Sequence, residues 1–130
     1  MNLFISMVLG HFVADYLFQT KQMALGKGRQ TSKGWSYCLA HCVIYMLTVA
    51  LFSCRFDPMF LALVFASHFF IDRWSLAETW LKMIGGRTLE GAYESKEKYR
   101  EFDIAFSAIV YTVADNTLHL LLLWLIVRFI

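Results

Sequence analysis

The sequence predicts an all-α protein: a single membrane domain, residues 1–130, folded as a four-helix transmembrane bundle. Hydrophobic residues make up 58% of the chain and charged residues only 17%, which is not the composition of a soluble globular domain. The charges are also segregated, because residues 1–20 and 104–127 contain one each and residues 34–54 contain none. Each of these three runs reaches the roughly 20 residues that a helix needs to cross ~30 Å of hydrocarbon.

The four helices are predicted at about residues 2–20, 35–54, 58–83 and 104–128. The third is the least regular span, because Asp72 and Arg73 interrupt its apolar run. Trp74 and Trp80 suit a membrane interface, and Arg73 is expected to snorkel towards water. We therefore expect one continuous helix that enters lipid near residue 59 and leaves it near Trp80.

The first apolar run is expected to be a permanent helix rather than a cleaved signal peptide. No basic residue precedes it, no Ala-x-Ala site follows it, and Asp15 lies within it.

The basic residues predict the orientation of the helices in the membrane. Nine lysines and arginines lie in or beside the connections at residues 20–35 and 84–103, whereas only Arg55 and Arg128 lie at the other end. Cytoplasmic segments are enriched in lysine and arginine. We therefore predict that both connections are cytoplasmic and that both termini lie outside the cytoplasm, with the bacterial inner membrane as the expected location. Residues 87–103 carry both signs of charge and are interpreted as a solvated face.

The polar residues within the apolar segments are mainly histidines and aspartates at helical spacing. All four histidines lie in these segments, and three of them have an aspartate four residues away, on the same helix face. The pairs are His11 with Asp15, His68 with Asp72, and His119 with Asp115, while His41 has no such partner. An ionisable side chain is costly in lipid, so its presence there indicates a functional site.

These residues predict a site for divalent metal ions inside the bundle. Three unpaired aspartates would cost on the order of 8 to 10 kcal/mol in lipid, and a bound metal ion can offset that cost. The candidate ligands are His11, Asp15, His41, His68, Asp72, Asp115 and His119. They exceed the four ligands of one tetrahedral zinc ion, so the number fits two ions, or one ion with an outer shell of polar groups. Zinc is the first choice, and manganese and iron are alternatives.

A short repeat suggests how the site is layered. Residues 10–15 and 67–72 share the pattern small-His-Phe-x-x-Asp, which is consistent with a duplicated helical hairpin. In the first, third and fourth helices the aspartate is expected to lie nearer the cytoplasm, with the histidine one turn deeper.

Two alternatives to a metal site remain open. The His–Asp pairs could be contacts within single helices that only stabilise the bundle, or they could line a path for protons or ions. Cys38 and Cys42 flank His41 and could contribute to a soft-metal site, but small apolar residues packed on a helix face explain them as well. The three cysteines do not form a disulfide framework.

The function predicted from these residues is a metal-dependent hydrolase acting on a lipid-linked or membrane-embedded substrate. A divalent ion lowers the pKa of bound water, and a nearby carboxylate can accept the proton. Asp15, one helical turn before Gln19, is the candidate base. The alternatives are a proton or metal-ion transporter or channel subunit, and a non-catalytic membrane scaffold. The expected partners are the lipid bilayer, the membrane substrate and, as an open alternative, further copies of the chain; no nucleic acid is expected.

The ordered motifs His11-x-x-x-Asp15-x-x-x-Gln19, His68-x-x-x-Asp72 and Asp115-Asn116-x-x-His119 resemble those of a known family. This family is the small bacterial and phage integral-membrane proteins classed as domain of unknown function 3307. The resemblance covers nearly the whole chain, although the family usually has Gln where this chain has Asn116. It implies an integral membrane protein with no established reaction. A more distant likeness to small membrane proteins described as metal-dependent hydrolases is an analogy.

Overall fold

The computed structural model describes residues 2–130, of which the larger part is helical and none is in a β-strand. The α-helices are α1 (Leu3–Phe12), α2 (Lys21–Gly26), α3 (Ser32–Ser53), α4 (Pro58–Arg73), α5 (Leu76–Met83), α6 (Leu89–Glu94) and α7 (Arg100–Phe129). The predicted all-α fold is confirmed.

The first helix changes its geometry part of the way along. It begins at Asn2, whose side chain accepts a hydrogen bond from the backbone N–H of Phe4. After α1 the chain continues as a π-helical segment, Val13–Phe18, and becomes extended at Gln19. A π-helical turn is wider than an α-helical turn, and such turns occur often at functional sites. This one carries Asp15.

The first connection contains more helix than the sequence predicted. Residues 20–35 include all of α2 and the start of α3. The side chains of Thr20 and Thr31 accept hydrogen bonds from the N–H groups of Met23 and Gly34, so each threonine caps a helix N-terminus. These caps specify the helix starts although the segment is rich in lysine and glycine.

The predicted helix at 58–83 is two helices. Pro58 begins α4, with the side chain of Asp57 as its N-cap. The chain then bends by 53° between α4 and α5. Ser75 lies at the break with φ 47°, in the left-handed region, and the adjacent Arg73 points into the first connection, as described below.

The last part of the chain also departs from the expected boundaries. The predicted loop at 84–103 contains the short helix α6, and α7 begins at Arg100 rather than near residue 104. Arg87 pairs with Asp103 and lies over the ring of Phe106, so both side chains hold the loop against the start of α7.

Helices α1, α3, α4 and α7 pack in a ring, in which each contacts two of the others. One end of the ring is filled by a buried apolar core that includes Met7, Tyr45, Val49, Phe60 and Val64. Large apolar side chains also cover the outside of these helices. An apolar outer surface of this extent is typical of contact with lipid or with other proteins.

Two helices, α3 and α7, are long and apolar enough to cross a membrane. The bent pair α4 and α5 makes a third candidate if it forms one span, whereas residues 3–18 form a shorter apolar helix. These features are consistent with a membrane protein. The duplicated hairpin stays a prediction.

Candidate metal centre

The structure brings all seven sequence-predicted ligands together between α1, α3, α4 and α7. The four histidines and Asp72 are almost completely buried. Asp15 and Asp115 keep 11% and 18% of their side chains exposed. The polar faces of these helices therefore meet in one cluster beside the apolar core.

The contacts in this cluster cross between helices. His41 on α3 contacts Asp15 on the π-helical segment and Asp72 on α4. His68 also contacts Asp15, and His119 on α7 contacts Asp72. The His–Asp pairs are therefore not confined to single helices, and a role in stabilising the bundle stays an open alternative.

Four donor atoms are spaced as the ligands of one small metal ion would be. They are Asp15 Oδ1, His41 Nε2, His68 Nε2 and Asp72 Oδ2. The Nε2 atom of His41 lies 3.3 Å from both carboxylate oxygens and 2.9 Å from Nε2 of His68. His68 Nε2 lies 3.1 Å from Asp72 Oδ2 and 3.7 Å from Asp15 Oδ1. Ligands about 2.0 to 2.1 Å from a tetrahedral zinc ion lie about 3.3 to 3.4 Å apart. These five distances, from 2.9 to 3.7 Å, lie around the tetrahedral value, and we call the four atoms the first group.

A second group shares Asp72 with the first. His119 Nε2 lies 3.4 Å from Asp72 Oδ1 and 3.7 Å from Asp115 Oδ2. One ligand atom from each of these three residues falls within 4.8 Å of the others. The two groups use different oxygens of Asp72, so this carboxylate would contribute one oxygen to each group if both held an ion.

His11 is held by Asn116 so that one ring nitrogen faces the cluster. Asn116 Nδ2 donates to the hydroxyl of Tyr16 and the carbonyl of Thr112, which leaves its Oδ1 to accept from His11 Nε2 at 2.8 Å. The neutral ring then presents the lone pair of Nδ1, 3.4 Å from Asp15 Oδ2. A lone pair facing a carboxylate is repulsive unless a cation lies between or beside them.

Several buried polar atoms of the cluster form no hydrogen bond within the described chain. They include His11 Nδ1, Asp15 Oδ1, Asp72 Oδ1 and His119 Nε2. Buried polar atoms are normally satisfied, and leaving them unpaired costs about 1 to 3 kcal/mol each. All four belong to residues of the candidate ligand clusters, one of which joins His11 with His68 and His119, so bound metal would give these atoms partners. The donor set therefore fits a divalent metal ion.

The side of the cluster nearest the core is closed. The ring of Tyr45 stacks on His68 with the ring centroids 3.5 Å apart, and Tyr45 itself belongs to the apolar core. The histidines thus face the core, and the carboxylates face the opposite end of the ring.

At that opposite end a cavity of about 160 Å³ reaches the carboxylates of Asp15 and Asp115. Its wall includes Asp15, Gln19, Lys27, Tyr111, Asp115 and Asn116. The Nε2 atom of Gln19 is buried without a hydrogen-bond partner. The cavity gives small molecules access to the cluster from the side of the first connection.

Lys27 is a site residue that sequence reasoning missed. Its Nζ lies 2.8 Å from Asp72 Oδ2, with 14% of the side chain exposed. Burial alone would lower the pKa of Lys27, but the Asp72 carboxylate raises it well above its usual value, so the ammonium group stays charged. In the sequence this lysine is one of nine basic residues on its side, and no spacing distinguishes it from the others.

Arg73 has a different place from the one expected. It does not reach water, because it is only 1% exposed. Its guanidinium donates to the carbonyls of Lys27 and Arg29 and to the side chain of Gln30, and it lies 4.2 Å over the ring of Trp35. The planar fork of donors on the guanidinium lets it bond both of these carbonyls at once, which gives the buried charge polar partners inside the protein. Arg73 therefore holds the backbone that carries Lys27.

The cysteines lie outside the candidate ligand groups. Cys38 and Cys42 are buried one helical turn apart, with their Sγ atoms 4.0 Å from each other. None of the three clusters of candidate ligands contains a cysteine. This position agrees with small residues packed on a helix face.

We expect Arg73→Gln to loosen the connection without removing a candidate ligand. The peptide bonds after Lys27 and Arg29 are trypsin sites whose carbonyls accept hydrogen bonds from Arg73. Loss of these bonds, which contribute about 1.5 to 3 kcal/mol each when the donor is charged, should speed cleavage there by roughly tenfold or more. Cleavage can be timed by mass spectrometry on protein in detergent.

Arg55→Gln is the matched control, since Arg55 pairs with Asp57 in the connection between α3 and α4. An Arg73→Gln protein cut at the wild-type rate after Lys27 and Arg29 would contradict the anchoring role.

Comparison with known proteins identifies the family of the chain. Neither a search of curated proteins nor a search of solved structures finds a match. A family model with the description "Protein of unknown function (DUF3307)" matches residues 3–130, so the chain belongs to this family.

Proposed function

We propose that the protein is an integral membrane metalloenzyme that hydrolyses a lipid-linked or membrane-embedded substrate at a site for one or two divalent ions. The observation that carries the proposal is the spacing of the four donor atoms in the first group, beside a cavity that is lined by Asp15 of this group and by Asp115. Zinc is the preferred metal, because two imidazoles and two carboxylates at tetrahedral spacing suit it; manganese and iron remain alternatives.

In the proposed topology all four helices of the ring cross the membrane. Residues 3–18 and α4 are each about 24 Å long at 1.5 Å per residue, a little shorter than the ~30 Å of hydrocarbon. A bilayer adapts to such a mismatch by local thinning, and the exposed apolar side chains on both helices favour lipid contact. The basic residues place the first connection, with Lys27, in the cytoplasm and both termini outside it.

In the proposed chemistry some carboxylates bind the metal ion and another accepts a proton from the attacking water. A divalent ion supplies acidified water and polarises a substrate oxygen. Asp15, the base predicted from the sequence, lies at ligand spacing from His41. Asp115 lines the cavity and has one histidine contact at 3.7 Å, so it is better placed to accept a proton when only the first group holds an ion. Gln19 lies in the same wall and offers its Nε2 donor to the substrate.

A transporter is less well supported than a hydrolase. Ion transport across a membrane needs access to the site from both sides. In the described chain the cavity reaches the cluster from the end that holds the first connection, whereas Tyr45, Val49 and Phe60 are buried in the apolar core at the other end. Access from one side is sufficient for hydrolysis.

We expect purified protein to contain roughly one or two equivalents of divalent metal per chain and Asp72→Asn to lose most of it, because Asp72 takes part in both groups. Asp57→Asn is the matched control on the same helix: Asp57 is an exposed N-cap, and asparagine caps equally well. Elemental analysis measures the metal. Wild-type protein without metal, or an Asp72→Asn protein with a full complement, would refute the metal site.

Hydrolysis and transport predict different results in proteoliposomes. We expect wild-type protein to convert components of a membrane-lipid extract, with products detected by mass spectrometry, and to lose this turnover with a chelator or in Asp115→Asn. No zinc or proton flux should appear on fluorescent indicators inside the vesicles. Ion flux that Asp72→Asn abolishes would instead establish a transporter. Bound metal with neither substrate turnover nor ion flux would favour a non-catalytic membrane scaffold.

The native cysteines make the topology measurable. Cys54 is exposed in the connection between α3 and α4, whereas Cys38 and Cys42 are buried. We expect a membrane-impermeant maleimide to label Cys54 from outside in sealed right-side-out vesicles. In a Cys54→Ser background, Gln30→Cys should react only after the vesicles are opened. The opposite labelling pattern would reverse the orientation.

A further inference from the structure

The formal charge of the cluster points to the kind of substrate that it can hold. Counted with all three aspartates ionised, Lys27 as an ammonium and the histidines neutral, the cluster has a formal charge of −2. One divalent ion neutralises this charge, and two ions turn it into an excess of +2. An uncompensated charge is costly in a buried site, so the two-ion state calls for an anion with two negative charges.

Lys27 lies close enough to the first ligand group for its contacts to change when a metal ion binds there. Its Nζ contacts Asp72 Oδ2, which is also a member of the first ligand group. An ion bound there takes over the charge of Asp72, and the flexible lysine stem lets the ammonium turn to another anion. Lys27 lines the cavity together with Gln19, so both can donate to an oxygen of a ligand in that space.

The volume of the cavity and the charge of the proposed two-ion state limit the kinds of anion that the site can hold. The cavity of about 160 Å³ has the volume of about five liquid water molecules, and a phosphate group has five heavy atoms. Two metal ions bridged by a carboxylate are a common device for holding a phosphoryl group. A carboxylate substrate would bring only one negative charge.

We propose that the cavity binds the phosphoryl group of a phosphate monoester or diphosphate, with Lys27 and Gln19 donating to its oxygens; this rests on the proposed function. The substrate class is therefore a phosphorylated molecule whose phosphoryl group enters from the side of the first connection. A lipid headgroup and a water-soluble phosphate ester share this chemistry.

Inorganic phosphate is the probe. Protein in detergent is loaded with zinc or manganese, and the affinities for phosphate and for acetate are measured by calorimetry, with metal content determined on the same samples. We expect wild type to prefer phosphate. Lys27→Met should keep its metal, because a competing cation has been removed, and should lose roughly tenfold to hundredfold in phosphate affinity, as expected for one charged hydrogen bond.

Two further variants make the result specific. Lys27→Arg should restore part of the affinity, and Lys21→Met should bind phosphate like the wild type, because Lys21 is exposed on α2. If Lys27→Met loses its metal, the Gln19→Leu variant tests the phosphate site instead. It removes the second proposed hydrogen-bond donor to phosphate and leaves every candidate metal ligand in place. A metal-loaded Gln19→Leu protein with wild-type phosphate affinity would then overturn the inference.

The failures of the two proposals are distinguishable. Metal-loaded wild type that binds phosphate no better than acetate, or a metal-loaded Lys27→Met protein with unchanged phosphate affinity, overturns this inference and leaves the metal site in place. Wild type without metal overturns both.

Nanodiscs separate the two sources of the phosphoryl group. Phosphatidic acid, a monoester, is compared with phosphatidylglycerol, a diester, as competitor of inorganic phosphate. Competition by phosphatidic acid alone supports a lipid headgroup, and phosphate binding without competition from either lipid supports a soluble ester. Equal competition by both lipids would overturn the preference for a monoester or diphosphate.

Discussion

The arrangement of the cluster depends on the buried carboxylate of Asp72. It lies in largely apolar surroundings, where an unpaired negative charge would be strongly destabilising, and it contacts His41, His68, His119 and Lys27. These contacts come from α3, α4, α7 and the first connection. The need to neutralise one carboxylate therefore draws together segments that are far apart in the sequence.

Two neighbouring residues at the end of α4 have different roles in the site. Asp72 points into the cluster, and Arg73, about 100° further round the helix, holds the carbonyls of Lys27 and Arg29. The same turn of helix thus supplies the carboxylate and fixes the backbone that brings a cation to it. Ser75, two residues after Arg73, has a left-handed backbone conformation at the bend between α4 and α5.

Periodicity predicted the part of the site that lies on regular helices. A spacing of four residues identified His11 with Asp15 and His68 with Asp72, because residues one turn apart on a buried face can meet the same neighbours. Lys27 and the burial of Arg73 could not be predicted in this way, since both depend on how a connection folds back over the helix ends. The break of the helix predicted at 58–83 was missed for the same reason.

One end of the cluster is closed by the apolar core, so charged groups that balance the carboxylates lie at the other end. Tyr45 and the apolar core contribute no charged side chain beside the histidines, whereas Asp15, Asp115 and Lys27 line the cavity on the other side. Lys27 is a cation fixed to the chain, and its flexible stem lets it exchange places with an ion that competes for Asp72. In the proposed metal site, a cation tethered to the chain and a diffusible cation would therefore compete for the Asp72 carboxylate, at the end of the cluster where Lys27 lines the cavity.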